Sequence, residues 1–281
     1  MKKFVCAIFI VGFFQASAQE YVPIVKPEVQ KEYVMFRKTV TRRMDLTETQ
    51  NLPFYSKNGE ISALIIEAVN AGLLKPYNSD SCINIMPDDI FQDRIRIKNQ
   101  SSGFGGGGFG GGFNSGFGND EQQPQEEQGP TYTSIPPELF SVIYIKEDVI
   151  FDRNRSRMYY YIRSITIALP GGAETAQWNE AGYEKPIASF KYEDLVNLFR
   201  GPFADRAIWY NNQNQAQHVN FGDAFELRLF RAPIIKISNA ENADIRQEYA
   251  DLVNKDPINA VLIQQQYEYD LMEYESELWE Y

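Results

Sequence analysis

The sequence has very few of the side chains that carry metal-dependent or nucleophilic chemistry. It contains one histidine and two cysteines in 281 residues. His218 lies in a polar stretch with no cysteine or carboxylate at metal-ligand spacing. Cys6 falls within an N-terminal segment that we predict is removed, so Cys82 is left with no partner for an internal disulfide. We expect both His218 and Cys82 to be structural, and we predict no catalytic, metal-binding or cofactor-binding residues.

Motifs of the common hydrolases are missing as well. The chain has neither a Gly-x-Ser-x-Gly elbow nor a His-Glu-x-x-His pair. Adjacent carboxylates are frequent, as at Asp88-Asp89 and Glu147-Asp148. Two carboxylates act as acid and base only where a cleft separates their pKa values, and adjacent pairs in an acidic protein are usually solvated. The sequence therefore shows no visible active site.

Long apolar runs are confined to the N-terminus, where the pattern is that of a secretory signal peptide at residues 1–18. Lys2 and Lys3 precede an apolar segment at 4–14 that is too short to span a bilayer, and Ala-Ser-Ala at 16–18 is typical of a cleavage site. Such a signal predicts an exported, soluble chain that begins at Gln19. A membrane anchor is the alternative, but no stop-transfer pattern follows.

Basic residues are outnumbered by acidic ones. The formal charge is −11, and removal of the signal peptide with its two lysines takes it to −13. An acidic protein is repelled by phosphate groups, so neither nucleic acid nor anionic lipid is expected as a partner.

One region is rich in glycine and poor in everything else. Residues 101–118 contain ten glycines and four phenylalanines, and acidic and amide residues with proline follow up to Pro130. Ordering so much glycine costs more backbone entropy than this segment can offset by burial. We predict a disordered Gly/Phe/Gln-rich insertion at 99–130. Gly103, Gly105 and Gly108 match the spacing of a dinucleotide-binding loop, but no strand or helix flanks them.

The rest of the chain is organised around a strand-rich stretch from Ile143 to Pro170. Two runs of β-branched and aromatic residues flank the reversal 152–156, Asp-Arg-Asn-Arg-Ser. This pattern predicts a central antiparallel hairpin.

Helical periodicity occurs in three places before the insertion. Apolar residues of Glu32–Asp45 recur every three or four positions with arginine and lysine between them, which predicts an amphipathic helix with a basic face. That face is either simply solvated or a docking surface for an acidic partner or the chain's own C-terminus. Glu60–Ala71, stopped by Gly72, and a short segment led by Pro87 predict two further helices.

After the hairpin, strands and helices alternate. A helical turn is expected at 135–140, strands at 186–190, 207–210 and 233–239, and helices at 192–200, after a cap at Asp223, and at 244–252. From Asp256-Pro257 an acidic helix is predicted nearly to Tyr281. Its apolar content indicates packing either on its own domain or on a partner.

Together these elements predict an α+β fold, with a small central antiparallel sheet packed with helices and a long acidic C-terminal helix. We divide the chain into a signal peptide (1–18), an N-terminal helical part of the domain (19–98), the insertion (99–130), an α+β core (131–255) and the acidic helix (256–281).

Four segments are similar, in chain order, to one known family. They are YVMFRK with RRMDLTE at 33–48, LIIEAVNAGLLKPY at 64–77, EDVIFD at 147–152 and FELRLFRAPIIKISN at 225–239. The ordered set resembles the GldN/PorN family, and the Gly/Phe insertion departs from it.

This resemblance implies a non-enzymatic, structural role in gliding motility and protein secretion. Family members form a periplasmic ring of the type IX secretion system of Bacteroidetes. The resemblance implies self-association in that ring, a complex with the outer-membrane lipoprotein GldK/PorK and contact with the inner-membrane motor protein GldM/PorM. It implies no small-molecule substrate or cofactor, and a location in the periplasm at the inner face of the outer membrane.

Three further expectations concern surfaces. The basic segment 32–45 and the acidic helix after Asp256 are predicted to dock between neighbouring subunits, and the hairpin tip at 151–156 is a candidate interface. The alternative function is a periplasmic carbohydrate-binding module or glycan-active enzyme, suggested by abundant tyrosine, tryptophan and carboxylates. It requires an aromatic cleft with two facing carboxylates.

Overall fold

A computed structural model of the protein describes residues 23–98, 132–179 and 181–279. The predicted signal peptide (1–18) and the predicted insertion (99–130) lie outside these residues. Short 3-10 helices occupy Lys31–Tyr33, Leu52–Phe54 and Pro137–Leu139. The strands are β1 (Val34–Asp45), β2 (Arg96–Lys98), β3 (Tyr132–Ser134), β4 (Val142–Asp152), β5 (Arg157–Leu169), β6 (Lys185–Lys191), β7 (Ile208–Trp209), β8 (Val219–Asn220) and β9 (Ile234–Ile237). The helices are α1 (Ile61–Asn70), α2 (Asp88–Ile95), α3 (Tyr192–Arg200), α4 (Phe221–Glu226), α5 (Ile245–Glu248), α6 (Ala250–Val253) and α7 (Ile258–Trp279).

The predicted central hairpin is confirmed as β4 and β5. The two strands pair antiparallel from Val142 opposite Ala168 to Asp152 opposite Arg157. The reversal is stabilised at its base, where the Asp152 carboxylate accepts a hydrogen bond of 2.8 Å from the backbone N–H of Asn154. Ser156 takes a positive φ of 48°, a conformation that turns require and that short polar residues tolerate.

The hairpin forms the middle of a five-stranded antiparallel sheet in the order β6-β5-β4-β1-β9. Helices cover it, so the predicted α+β class is confirmed. In the described part of the chain no helix is long and apolar enough to cross a membrane.

The predicted helix at Glu32–Asp45 is wrong, because most of this segment is β1. Phe36, Val40 and Met44 are four residues apart, and this spacing places side chains on one face of a strand as well as one face of a helix. Pairing along the length of β4 decides for the strand. The residues that alternate inward are Val40, Arg42 and Met44, all buried, so the expected basic outer face does not exist as such.

One face of the sheet carries two apolar clusters. At one end Met44 of β1 and Ile143 of β4, which are cross-strand partners, belong to the larger cluster with α1, α3 and α4. At the hairpin end Phe36 and Phe151, again partners, contact the smaller cluster covered by α7. Glu147 lies on this same face of β4, at the boundary between the two clusters.

Most other elements agree with prediction, but two differ in detail and strand β8 was not predicted. Helices α1, α2, α3 and α7 and strands β6, β7 and β9 lie where they were expected, and Gly72 has the positive φ (70°) of a helix C-terminus. Asp223 does not cap a helix: Asn220 caps α4, and Asp223 lies inside it. The single helix predicted at 244–252 is two short ones, α5 and α6, with Tyr249 between them.

Two short strands that were not predicted frame the insertion. Strand β2 pairs antiparallel with β3, and Lys98 is the register partner of Tyr132. Register partners in antiparallel strands have Cα atoms about 5 Å apart. The chain therefore leaves the folded body and re-enters it at nearly the same point.

Candidate assembly surface

A fully buried carboxylate lies at the boundary between the two apolar clusters. Glu147 has no exposed surface. Its Oε1 accepts a hydrogen bond of 2.5 Å from Nε of Arg42, and its Oε2 accepts one of 2.7 Å from Nη1 of Arg228. Burial alone would raise the pKa of Glu147, but the two guanidinium groups outweigh it and the pKa lies below its usual value. Glu147 is therefore an ionised structural group at neutral pH.

Arg42 connects this carboxylate to the acidic C-terminal helix. The Arg42 guanidinium forms an ion pair with Glu268 of α7 and donates a hydrogen bond of 2.9 Å to the carbonyl oxygen of Ala232. Burial would lower the pKa of Arg42, but Glu147 and Glu268 raise it above its usual value. Four side chains thus form one network across β1, β4, the segment after α4, and α7.

The network changes the interpretation of the predicted contact between basic and acidic segments. Arg42 meets Glu268 within one chain, and the neighbouring Arg43 is paired with Glu184 through a hydrogen bond of 2.7 Å. Both arginines already have carboxylate partners. The alternative of docking onto the chain's own C-terminus is confirmed for Arg42, whereas docking between neighbouring subunits stays a prediction.

Apolar and polar contacts complete the seat of α7. Leu271 is buried in the smaller cluster, and the rings of Phe36 and Tyr274 lie 4.7 Å apart. The Glu275 carboxylate accepts a hydrogen bond of 3.2 Å from the backbone N–H of Met158. Buried ion pairs contribute little net stability but disfavour misaligned packing, in which a charge would be left unpaired. The network therefore sets where α7 lies along the sheet.

The carboxylate next to Glu147 faces the opposite side of the sheet. Asp148 accepts hydrogen bonds from Nη2 of Arg37 (2.8 Å), Oγ1 of Thr39 (2.7 Å) and Nε of Arg163 (2.8 Å). Burial would raise the pKa of Asp148, but these partners lower it. The expectation of a solvated pair was wrong here. Charged residues inside an apolar strand run, KED between YI and VIF, were the available signal for buried ion pairs.

One surface cavity of about 450 Å³ is lined by both aromatic and carboxylate side chains. Tyr144, Tyr183, Glu184 and Asp244 are among its lining residues. Glu184 is held by Arg43 and Tyr144, and its pKa is lowered despite burial, which alone would raise it. The Asp244 side chain caps α5. Neither carboxylate is arranged as a general acid facing a base, so the cavity does not favour the glycan-active alternative.

The other predicted candidates have ordinary surroundings. His218 stacks on Tyr210, and its Nδ1 accepts a hydrogen bond of 3.1 Å from the backbone N–H of Asn211. Burial raises the pKa of the Cys82 thiol, so the reactive thiolate is disfavoured. Across the described ranges no group of three or more His, Cys, Asp or Glu side chains could hold a metal ion.

Two surfaces remain exposed around the network. The hairpin tip presents Arg153, Arg155 and Arg157 to solvent, with Arg155 paired to Asp152 at 3.4 Å. The outer side of α7 carries exposed apolar residues among polar ones, and the apolar residues are Ile258, Val261, Leu262, Tyr269 and Met272. Exposed apolar surface of this kind commonly contacts other macromolecules.

Comparison with known proteins shows which family the chain matches. The family model described as "Gliding motility associated protein GldN" matches residues 29–280. No curated protein matches the sequence.

Proposed function

Because the chain belongs to the GldN family of gliding motility associated proteins, we propose that it is a non-enzymatic structural component of a type IX secretion and gliding motility machine. In this proposal residues 1–18 direct export of the protein and are then cleaved off, and the mature chain self-associates in a periplasmic ring. An outer-membrane lipoprotein of the GldK/PorK type completes the ring, and the inner-membrane motor protein GldM/PorM contacts it.

The match to the family over residues 29–280 is the observation that carries this proposal. The use of charged side chains supports it. Glu147, Asp148 and Glu184 each bind one or more arginines, and this pairing suits a rigid building block better than a site that exchanges protons. The long seated helix α7 provides such a block with an outward surface.

Purification of the tagged protein from solubilised cell envelopes tests the assembly role. We expect it to co-purify with an outer-membrane lipoprotein as a large particle that is ring-shaped by electron microscopy. N-terminal sequencing should begin at Gln19. Deletion of the gene should abolish gliding and secretion, and the wild-type gene should restore both. A monomer in crosslinked envelopes, with secretion intact after deletion, would contradict the proposal.

A further inference from the structure

Helix α7 is apolar on two opposite sides, and only one of them is covered. At 100° per residue, Ala260, Tyr267, Leu271 and Leu278 lie on one side, where Ala260 and Leu271 are each 5% exposed. The exposed residues project from the other side: Ile258, Val261, Leu262, Tyr269 and Met272, between 51% and 62% exposed. Scattered exposed apolar residues are ordinary, but five on one face of one helix form an apolar stripe, interrupted here only by Gln265.

The exposed residues have the spacing of a coiled-coil seam. Ile258, Leu262, Tyr269 and Met272 fall at alternating four- and three-residue steps, with Gln265 filling the remaining position. This is the a/d repeat, in which each side chain inserts between four residues of a facing helix. The surface is therefore shaped for a second helix that lies along α7.

Charge decides which helix fits. Glu273 occupies an e position beside the seam and is exposed, as are Asp270 and Glu277, and α7 contains no lysine or arginine. The g-position residues Glu268 and Glu275 are already bound within the chain, to Arg42 and to the Met158 backbone. Residues at e and g positions select the partner by interhelical ion pairs. We propose that the outer face of α7 binds an amphipathic helix of another protein, with an apolar seam flanked by lysine or arginine. This deepens the proposed assembly role and rests on it, because it names the chemistry of one partner.

Two other occupants fit the charges less well. If two α7 helices paired, in parallel or antiparallel, the acidic residues beside one seam would face the acidic flanks of the other copy. Neither helix would offer a cation to pair with them. The chain as a whole is also negative, at −11. A membrane surface attracts amphipathic helices with basic polar faces, whereas the polar residues of α7 are acidic.

Binding of two designed peptides to the full-length protein tests the proposal. Both peptides are three-heptad helices with leucine at a and d; one carries lysine at e and g, the other glutamate. We expect the lysine peptide to bind at least about 10-fold more tightly, as measured by fluorescence anisotropy. Equal affinities would overturn the proposal.

A variant pair locates the binding surface. In the double variant Leu262→Gln/Tyr269→Gln we expect a loss of about 10-fold or more in affinity for the lysine peptide. The control Leu73→Gln/Ile83→Gln removes two side chains that are 56% and 76% exposed elsewhere, and should bind as wild type. Equal losses in both variants would overturn the proposal. Because the substituted side chains are exposed, far-ultraviolet circular dichroism should show both variants folded.

Two further measurements identify the wrong occupant. Sedimentation measures self-association of the wild-type protein, and vesicle binding measures its attachment to zwitterionic lipid. If the Leu262→Gln/Tyr269→Gln variant abolishes either activity, the face binds a second copy or a lipid surface, and the proposal is overturned. Failure of ring assembly with peptide binding intact would count against the proposed function alone.

Discussion

Replacement of Glu147 by glutamine tests whether the buried network organises the fold. The substitution keeps the shape of the side chain and removes its charge. Arg42 would keep Glu268 as a partner, but Arg228 would lose its only carboxylate among the ion pairs of the described residues, at the boundary of two apolar clusters. Removal of one member of a buried ion pair typically costs 3–5 kcal/mol. Since Arg42 remains paired and the Arg228 side chain is 26% exposed, we expect the lower end, about 3 kcal/mol.

The control is the same substitution in a surface pair. Glu67 accepts two hydrogen bonds of 2.7 Å from Arg206, but both side chains are about half exposed. Exposed pairs contribute about 0–1 kcal/mol, so Glu67→Gln should be nearly neutral. Urea unfolding followed by circular dichroism gives both free energies by linear extrapolation. A loss for Glu147→Gln that is no larger than the loss for Glu67→Gln would refute the argument from burial.

A double substitution separates an unpaired charge from a lost attraction. If the cost arises mainly because Arg228 is left without Glu147, removal of that cation as well should recover stability. Arg228→Met combined with Glu147→Gln should therefore be more stable than Glu147→Gln alone, since no unpaired charge remains and Arg42 keeps Glu268. A double variant that is less stable than the single one would show that the attraction itself dominates.

Three more outcomes are expected. The lowered pKa values of Glu147 and Asp148 mean that the unfolded state binds more protons in acid. Their stabilisation is therefore present above the ordinary carboxyl pKa of about 4 and lost as pH falls through the folded values; unfolding free energies measured from pH 7 to pH 3 should decline less in Glu147→Gln. Met44→Ala should cost about 2–5 kcal/mol in urea unfolding because Met44 is fully buried, whereas Met35→Ala, at a half-exposed position of the same strand, should stay within about 0.5 kcal/mol. Replacement of residues 99–131 by Asn-Gly should change the melting temperature by less than about 4 °C, because β2 and β3 already meet at the site of the cut; a large drop would show that the insertion supports the fold.

Elements whose local pattern agrees with their surroundings were predicted well. The hairpin 143–170, helices α1 and α3, and the acidic helix α7 combine suitable periodicity with turn or cap residues, so short-range information is sufficient. The helix predicted at 34–45 was wrong because a four-residue spacing fits a strand and a helix equally. Pairing with β4, about a hundred residues away in sequence, decides between them. Strands β2 and β3 were not predicted because a run of three residues is too short to show a strand periodicity.

The candidate surface was likewise predictable from the sequence only in part. From its sequence alone, α7 is an acidic helix with too much apolar surface for solvent, and the family resemblance rests on ordered local motifs. Which side of α7 is covered depends on Arg42, Glu147 and Arg228, which come from three distant segments. Composition and periodicity thus determined the class of protein, the hairpin and the helices. Only tertiary structure decided which charges are buried as pairs and which apolar face is left outside, because burial depends on contacts between residues far apart in the chain.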